Sequence, residues 1–293
     1  MTYDEQHAVY LARCDRALSM AVQRYFSPTS KVSEAAEYTL MNGGKRVRGV
    51  LTLAACDLLA GDIRMAEVFA AAIEMIHAFS LIHDDLPCMD DDDMRRGKPA
   101  AHIVYGEATA LLAGDLLAIE AFEAIAAAPY DAKAQLRATA ILAKASGAGG
   151  MIFGQELDLK YETQRADEAT LHEIHTNKTG ALIKASIQLG MAAALTAEDQ
   201  APALLTYAEN IGLVFQIIDD ILDVTATPEQ LGKPTGSDAR KQKSTFVTLY
   251  GFERSQKEAA RLTVEAVTAL RQAYGDTSEF LCQYAEQLGA RIH

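Results

Sequence analysis

The sequence predicts an all-α protein of ten or more helices, and three observations lead there. Apolar residues recur at three- and four-residue spacing along nearly the whole chain, and strand-like alternation is rare. Alanine is abundant, tryptophan is absent and only seven prolines occur in 293 residues, a composition that favours helix. Turn signals cut the chain into segments of helical length. With no short repeat, low-complexity tail or linker composition, the expectation is one domain over residues 1–293.

The expected breaks fall, in order, at Ser27-Pro28, Asn42-Gly43-Gly44, Gly61-Asp62, Leu86-Pro87, Gly97-Lys98-Pro99, Pro129, Gly147 to Gly150, Gly190, Pro202 and Thr227-Pro228. The long irregular stretch from Thr225 to Ser244 reads as a functional lid or a disordered loop.

Hydrophobic residues make up 49% of the chain, enough for a sizeable core, and the formal net charge is -13. That balance excludes a basic nucleic-acid-binding surface. An acidic protein that handles an anionic substrate needs a cationic intermediary. Cys14, Cys56, Cys88 and Cys282 are scattered, with no CxxC spacing, and read as free thiols. No secretory leader pattern is visible and no uninterrupted apolar run reaches about 18 residues, so the expectation is a cytoplasmic protein without a membrane span.

Two segments share one logic. Glu74 to Asp85 and Glu209 to Asp220 are largely apolar helical runs that close on paired aspartates. Carboxylates beside Leu, Ile and Phe are costly without a cation, which points to a shared cation site. Asp84, Asp85 and Asp90 to Asp93 put six aspartates in ten residues, and Pro87 disturbs the helix so that Asp90 returns towards Asp84. Oxygen-only ligands suit Mg²⁺. Asp219 and Asp223 share a helix face, with Asp220 beside them. Basic clusters suited to diphosphates lie at Lys45, Arg46 and Arg48 after two glycines, at Arg95-Arg96, at Lys178-Thr179-Gly180 and at Lys233.

These residues resemble the trans-polyprenyl diphosphate synthases, closest to the bacterial farnesyl diphosphate synthases. The resemblance rests on GGKRVR at 43–48, HDDLPCMDDDDMRRGKPAAH at 83–102, GQELDL at 154–159, KTG at 178–180, DDILD at 219–223 and the lysine-bearing LGKPTGSDARKQKST at 231–245. It implies an isoprenoid-synthase helical bundle around a central active-site cavity, a homodimer, and three Mg²⁺ ions. Asp84 and Asp90, supported by Asp85, would bind two ions, and Asp219 the third with Asp220 and Asp223. Arg95, Lys178, Lys233 and Lys243 would grip the allylic diphosphate, and Lys45, Arg48, His77 and Arg96 isopentenyl diphosphate. Thr179 and Gln216 would turn oxygens towards the developing allylic cation. Gly49 departs from the family's usual proline and weakens the helix start.

Phe79 and Ser80, five and four residues before Asp84, sit where such relatives set product length. An aromatic at Phe79 implies farnesyl diphosphate (C15), with geranylgeranyl diphosphate (C20) as the alternative. A class I terpene cyclase would not need the basic cluster at Lys45 to Arg48, and a non-catalytic partner subunit would have lost its aspartates.

Overall fold

The computed structural model describes residues 1–162, 164–225 and 243–290, and these are helical nearly throughout. They divide into two compact units, Met1–Ala140 with Leu189–Leu195, and Ile141–Gln188 with Thr196–His293.

The first unit holds α1 (Tyr3–Tyr25), α2 (Lys31–Leu40), α3 (Val47–Leu58), α4 (Ile63–Asp84), α5 (Ala101–Tyr105) and α6 (Glu107–Ala126). Its polar starts follow from capping chemistry. Thr2 and Glu5 form a reciprocal capping box on α1, and Asp62 accepts from the Arg64 amide to start α4. α4 is the axis of this unit, packed by α1, α3 and α6. Its inward face of Phe69, Ile73, Ile76 and Ile82 is fully enclosed.

By length and composition α4 could cross a membrane, although Glu67 and Glu74 interrupt its apolar run; 67% of its apolar window is buried inside the protein, as in a core helix. A two-residue antiparallel ladder, β1 (Met94–Arg95) with β2 (Lys98–Pro99), interrupts the helices. Arg96 and Gly97 turn it, both with positive φ, as a two-residue hairpin requires.

The second unit holds α8 (Met151–Lys160), α9 (Glu168–His175), a π-helical turn (Thr176–Gly180), α11 (Pro202–Thr225), α12 (Phe246–Tyr250), α13 (Phe252–Tyr274) and α14 (Glu279–Gly289). α7 (Ala132–Ser146) and α10 (Ala181–Ala193) are the remaining α-helices among the described residues. α11 packs on α13, and Tyr207, the largest fully buried side chain, donates its hydroxyl to the Leu281 carbonyl.

Most expected breaks coincide with helix ends. Gly190 does not: it lies inside α10, and a Cβ there would come 2.5 Å from the Thr52 carbonyl oxygen. That glycine serves a close helix approach rather than a turn. α11 runs on past the second aspartate pair to Thr225, so Asp219, Asp220 and Asp223 lie on one helix as their spacing predicts. The Thr227-Pro228 break and most of the expected long loop lie outside the described residues.

Candidate active site

In the first unit, α4 ends at Asp84 and the chain folds back on itself. The Asp90 amide donates to the Asp84 carbonyl oxygen at 2.8 Å, and the Met89 and Asp91 amides both reach the Leu86 carbonyl. The return expected from Pro87 is therefore present, and Asp91 completes it with a positive φ. Asp84 and Asp90 are half-buried, whereas Asp85 is 2% exposed. Asp85 is occupied by Arg95, whose Nε lies 3.0 and 3.2 Å from its two oxygens while Nη2 also donates. Burial pushes the Asp85 carboxyl up, and Arg95 opposes that shift without cancelling it. Asp85 thus orients Arg95, and it is more deeply buried than Asp84 and Asp90.

The basic cluster is assembled around the first turn of α3. Gly43 and Gly44 take positive φ, and a Cβ on Gly44 would come 2.7 Å from the Arg96 guanidinium carbon. Arg96 donates to the Gly43 carbonyl at 2.6 Å. His77 on α4 sits among these cations: burial, then Arg48 and Arg96, holds its pKa well below the usual value. It stays neutral and can donate or accept a hydrogen bond at any physiological pH. Arg48 is buried and Lys45 exposed. Arg46, which the motif also contains, turns away and pairs with Asp15 of α1 at 2.9 Å.

Phe79 is half-buried and meets His83 edge-on, with ring centroids 4.9 Å apart. Ser80 donates back to the His77 carbonyl within the helix. His83 bonds the Leu111 carbonyl of α6 at 2.9 Å, and a Cβ on Gly114 would come 2.2 Å from its Nε2.

In the second unit the π-helical turn carries Lys178 and Thr179. Two glycines seat it: a Cβ on Gly154 of α8 would lie 2.1 Å from the Lys178 amide nitrogen, and one on Gly212 of α11 3.1 Å from Gly180 Cα. Lys178 and Lys243 both end on Asp158 Oδ2, at 2.6 and 3.1 Å. Burial works to raise the Asp158 carboxyl, but the two ammonium groups overcome it and hold the pKa at about 2. Gln155, one turn earlier, does not partner Asp158, and neither of its buried amide atoms is hydrogen-bonded among the described residues.

A polar chain leads from that turn to the second aspartates. The Thr179 hydroxyl donates to Gln216 Oε1 at 2.9 Å, and Gln216 Nε2 donates to Asp220 Oδ1 at 2.8 Å. The Phe246 amide donates to Asp220 Oδ2 at 2.8 Å, and the His175 ring lies 3.7 Å from the same oxygen. Asp220 is 3% exposed and Asp223 5%, while Asp219 is half-buried. Both Asp220 oxygens thus serve protein donors, and Asp219 is the more accessible carboxylate of the motif. Lys233 lies outside the described residues.

No group of three or more His, Cys, Asp or Glu side chains among the described residues forms a cage for a metal. The donor set nevertheless fits Mg²⁺, which usually takes one or two carboxylates and fills its remaining positions with water and substrate phosphates. Asp158 lies in the GQELDL segment at 154–159, whereas His175 and Phe246 carry no motif of their own.

Residues 29–281 match the polyprenyl synthetase family. A geranylgeranyl diphosphate synthase of Cyanophora paradoxa is 46% identical over 238 residues, which are 80% of this chain and 79% of that protein. Arabidopsis thaliana proteins of similar identity carry geranylgeranyl pyrophosphate synthase names. The geranyltransferase of Legionella pneumophila matches in structure with a TM-score of 0.88 and 36% identity, covering 99% of this chain and 97% of that one. The geranyltransferase of Helicobacter pylori, solved with magnesium and isoprenyl diphosphate, matches with a TM-score of 0.83 and 33% identity, covering 97% and 96%.

Proposed function

We propose, from the premise that this chain belongs to the polyprenyl synthetase family and is a prenyltransferase, that it condenses isopentenyl diphosphate head-to-tail with allylic diphosphates such as dimethylallyl and geranyl diphosphate. The observation that carries this reading lies in the first unit. A half-buried carboxylate pair, Asp84 and Asp90, and a cation cluster around neutral His77 are both attached to the segment from α4 to the Arg95-Arg96 hairpin. That arrangement suits one diphosphate held through a metal and a second held by side chains directly.

Asp84 and Asp90 would hold two Mg²⁺ ions, and Asp219 a third with Asp223. When bound, Mg²⁺ supplies Lewis-acid neutralisation of the charge on the leaving diphosphate. Arg95, fixed by Asp85, grips the allylic diphosphate, the role that the family resemblance also gives Lys178, Lys233 and Lys243. Lys45, Arg48, His77 and Arg96 hold isopentenyl diphosphate with its double bond towards the allylic carbon. Because the Thr179 hydroxyl proton is committed to Gln216, its lone pairs remain to face the developing cation. The allylic C–O bond breaks with its electrons leaving on diphosphate, the double-bond electrons form the new C–C bond, and the product cation loses a proton to the released diphosphate, which restores a double bond.

On product length, the names of the curated relatives support geranylgeranyl diphosphate (C20) over the farnesyl product that the sequence implies. Phe79 is the observation that keeps farnesyl diphosphate (C15) as a second reading. Labelled isopentenyl diphosphate with C5, C10 and C15 primers and Mg²⁺ tests both. Incorporation from the C15 primer to C20 supports the first reading, and products stopping at C15 that lengthen in Phe79→Ala support the second. No incorporation from any primer overturns the function, and turnover of an allylic diphosphate alone makes the protein a cyclase.

A further inference from the structure

Glu74 is a carboxylate that the mechanism above leaves unused. It lies on α4, three residues before His77, and is only 3% exposed. An acid so buried is costly unless its oxygens are satisfied. One of them is: Glu74 Oε1 accepts the Gly49 amide at 2.9 Å. That amide belongs to the first turn of α3, where backbone N–H groups have no partner within the helix. Cys14 of α1 also packs on Gly49, where a Cβ would come 2.4 Å from its Sγ. The Glu74 carboxylate also acts on Arg96, opposing the effect of burial on that guanidinium.

The other acids near this cluster are engaged elsewhere, Asp15 with Arg46 and Asp85 with Arg95. Glu74 therefore ties the first turn of α3, which carries Arg48, to the helix that carries His77. Proline at position 49 would fix that turn through its ring but could not donate this hydrogen bond.

We infer that Glu74 is a positioning residue of the isopentenyl diphosphate half-site, fixing the first turn of α3, and with it Arg48, through its bond to the Gly49 amide. The inference rests on the assignment of Arg48, His77 and Arg96 to isopentenyl diphosphate. It does not depend on product length.

Two variants of similar volume separate the hydrogen bond from the charge. Glu74→Gln keeps an acceptor for Gly49 and removes the negative charge, whereas Glu74→Met removes both. Steady-state kinetics with Mg²⁺ and isopentenyl diphosphate varied at saturating allylic substrate give the readout, and thermal melts accompany each variant. The expected result is a KM for isopentenyl diphosphate raised about tenfold or more in Glu74→Met, worth ~1.4 kcal/mol or more. In Glu74→Gln that KM stays at or below the wild-type value, and the KM for the allylic substrate holds in both.

A fall in KM in both variants would make Glu74 a mere electrostatic brake and overturn the inference. So would a loss of melting temperature with both KM values unchanged, which marks an ordinary core acid. Should Glu74→Met not fold, Glu74→Gln decides alone, since a raised KM there overturns the hydrogen-bond role. Arg48→Gln is the control. If it raises KM for isopentenyl diphosphate while the Glu74 variants do not, only this inference fails. If it too leaves KM unchanged, the half-site assignment has failed.

Discussion

Gly49 stands where the family resemblance implies proline, and at the level of single atoms a glycine there has a physical reason. A Cβ at this position would come 2.4 Å from Cys14 Sγ, while Cys14 Cβ lies 3.5 Å away and Glu74 Cγ 3.4 Å. The obstacle is one sulfur atom. Gly49→Ala should destabilise the fold by about 1–3 kcal/mol, the range for overpacking a core. Cys14→Ala alone should cost about 1 kcal/mol or more for the cavity it leaves. Combined, the two should recover most of the Gly49→Ala loss, because the new methyl group occupies the space that the sulfur vacates. Urea melts of the three variants give the coupling directly, and strictly additive losses would sink the account. The aspartate and basic clusters proposed for the site are legible in the sequence from clustering and spacing, and their separate roles from the family resemblance. Glu74 was not, since its significance comes from an amide 25 residues away that only the folded chain brings within reach.

At the level of elements, the π-helical turn shows what helical periodicity conveys and what it leaves out. Spacing identifies helical segments on both sides of Lys178, but no pattern of apolar residues distinguishes an α-turn from a wider one. Gly154, Gly180 and Gly212 are the local signs, and read singly they suggest breaks or flexibility. In the structure Gly154 and Gly212 let neighbouring helices approach the turn, and Asp158 secures it to α8 through Lys178. This tie titrates. With a folded pKa of about 2 against a usual 3.8, Asp158 stabilises the fold above the unfolded value, and its contribution disappears as pH falls from about 4 towards 2. The contribution is roughly 2 kcal/mol at neutral pH. Asp158→Asn should therefore be less stable than wild type by about that amount at pH 5 to 7, with the gap closing below about pH 4. Urea melts across that range read the gap, and a constant difference at every pH would remove Asp158 as the ionised anchor of the two lysines.

For the whole molecule, a net charge of -13 means that an anionic substrate approaches against the general field of the protein. The described residues contain no group of three acidic or imidazole ligands that would hold a metal alone, and Asp85 and Asp220 are already taken by Arg95 and by Gln216 with Phe246. Metal and diphosphate should therefore bind as partners, each completing the site for the other. Mg²⁺ alone should raise the melting temperature little, because Asp84 with Asp90, or Asp219, offers only part of a coordination shell. Inorganic diphosphate alone should stabilise only through the proposed cluster of Lys45, Arg48 and Arg96, since Lys178 and Lys243, proposed for the allylic diphosphate, are paired with Asp158. Together at saturating concentrations they should stabilise by more than the sum of their separate effects, approaching ~2.7 kcal/mol at a hundredfold excess over Kd. The excess over additivity is the coupling free energy between the two ligands. Thermal melts with each ligand, both, and both plus chelator measure it. Additive shifts would mean that the protein binds metal or diphosphate independently, and the division of labour between carboxylates and basic clusters would then have to be redrawn.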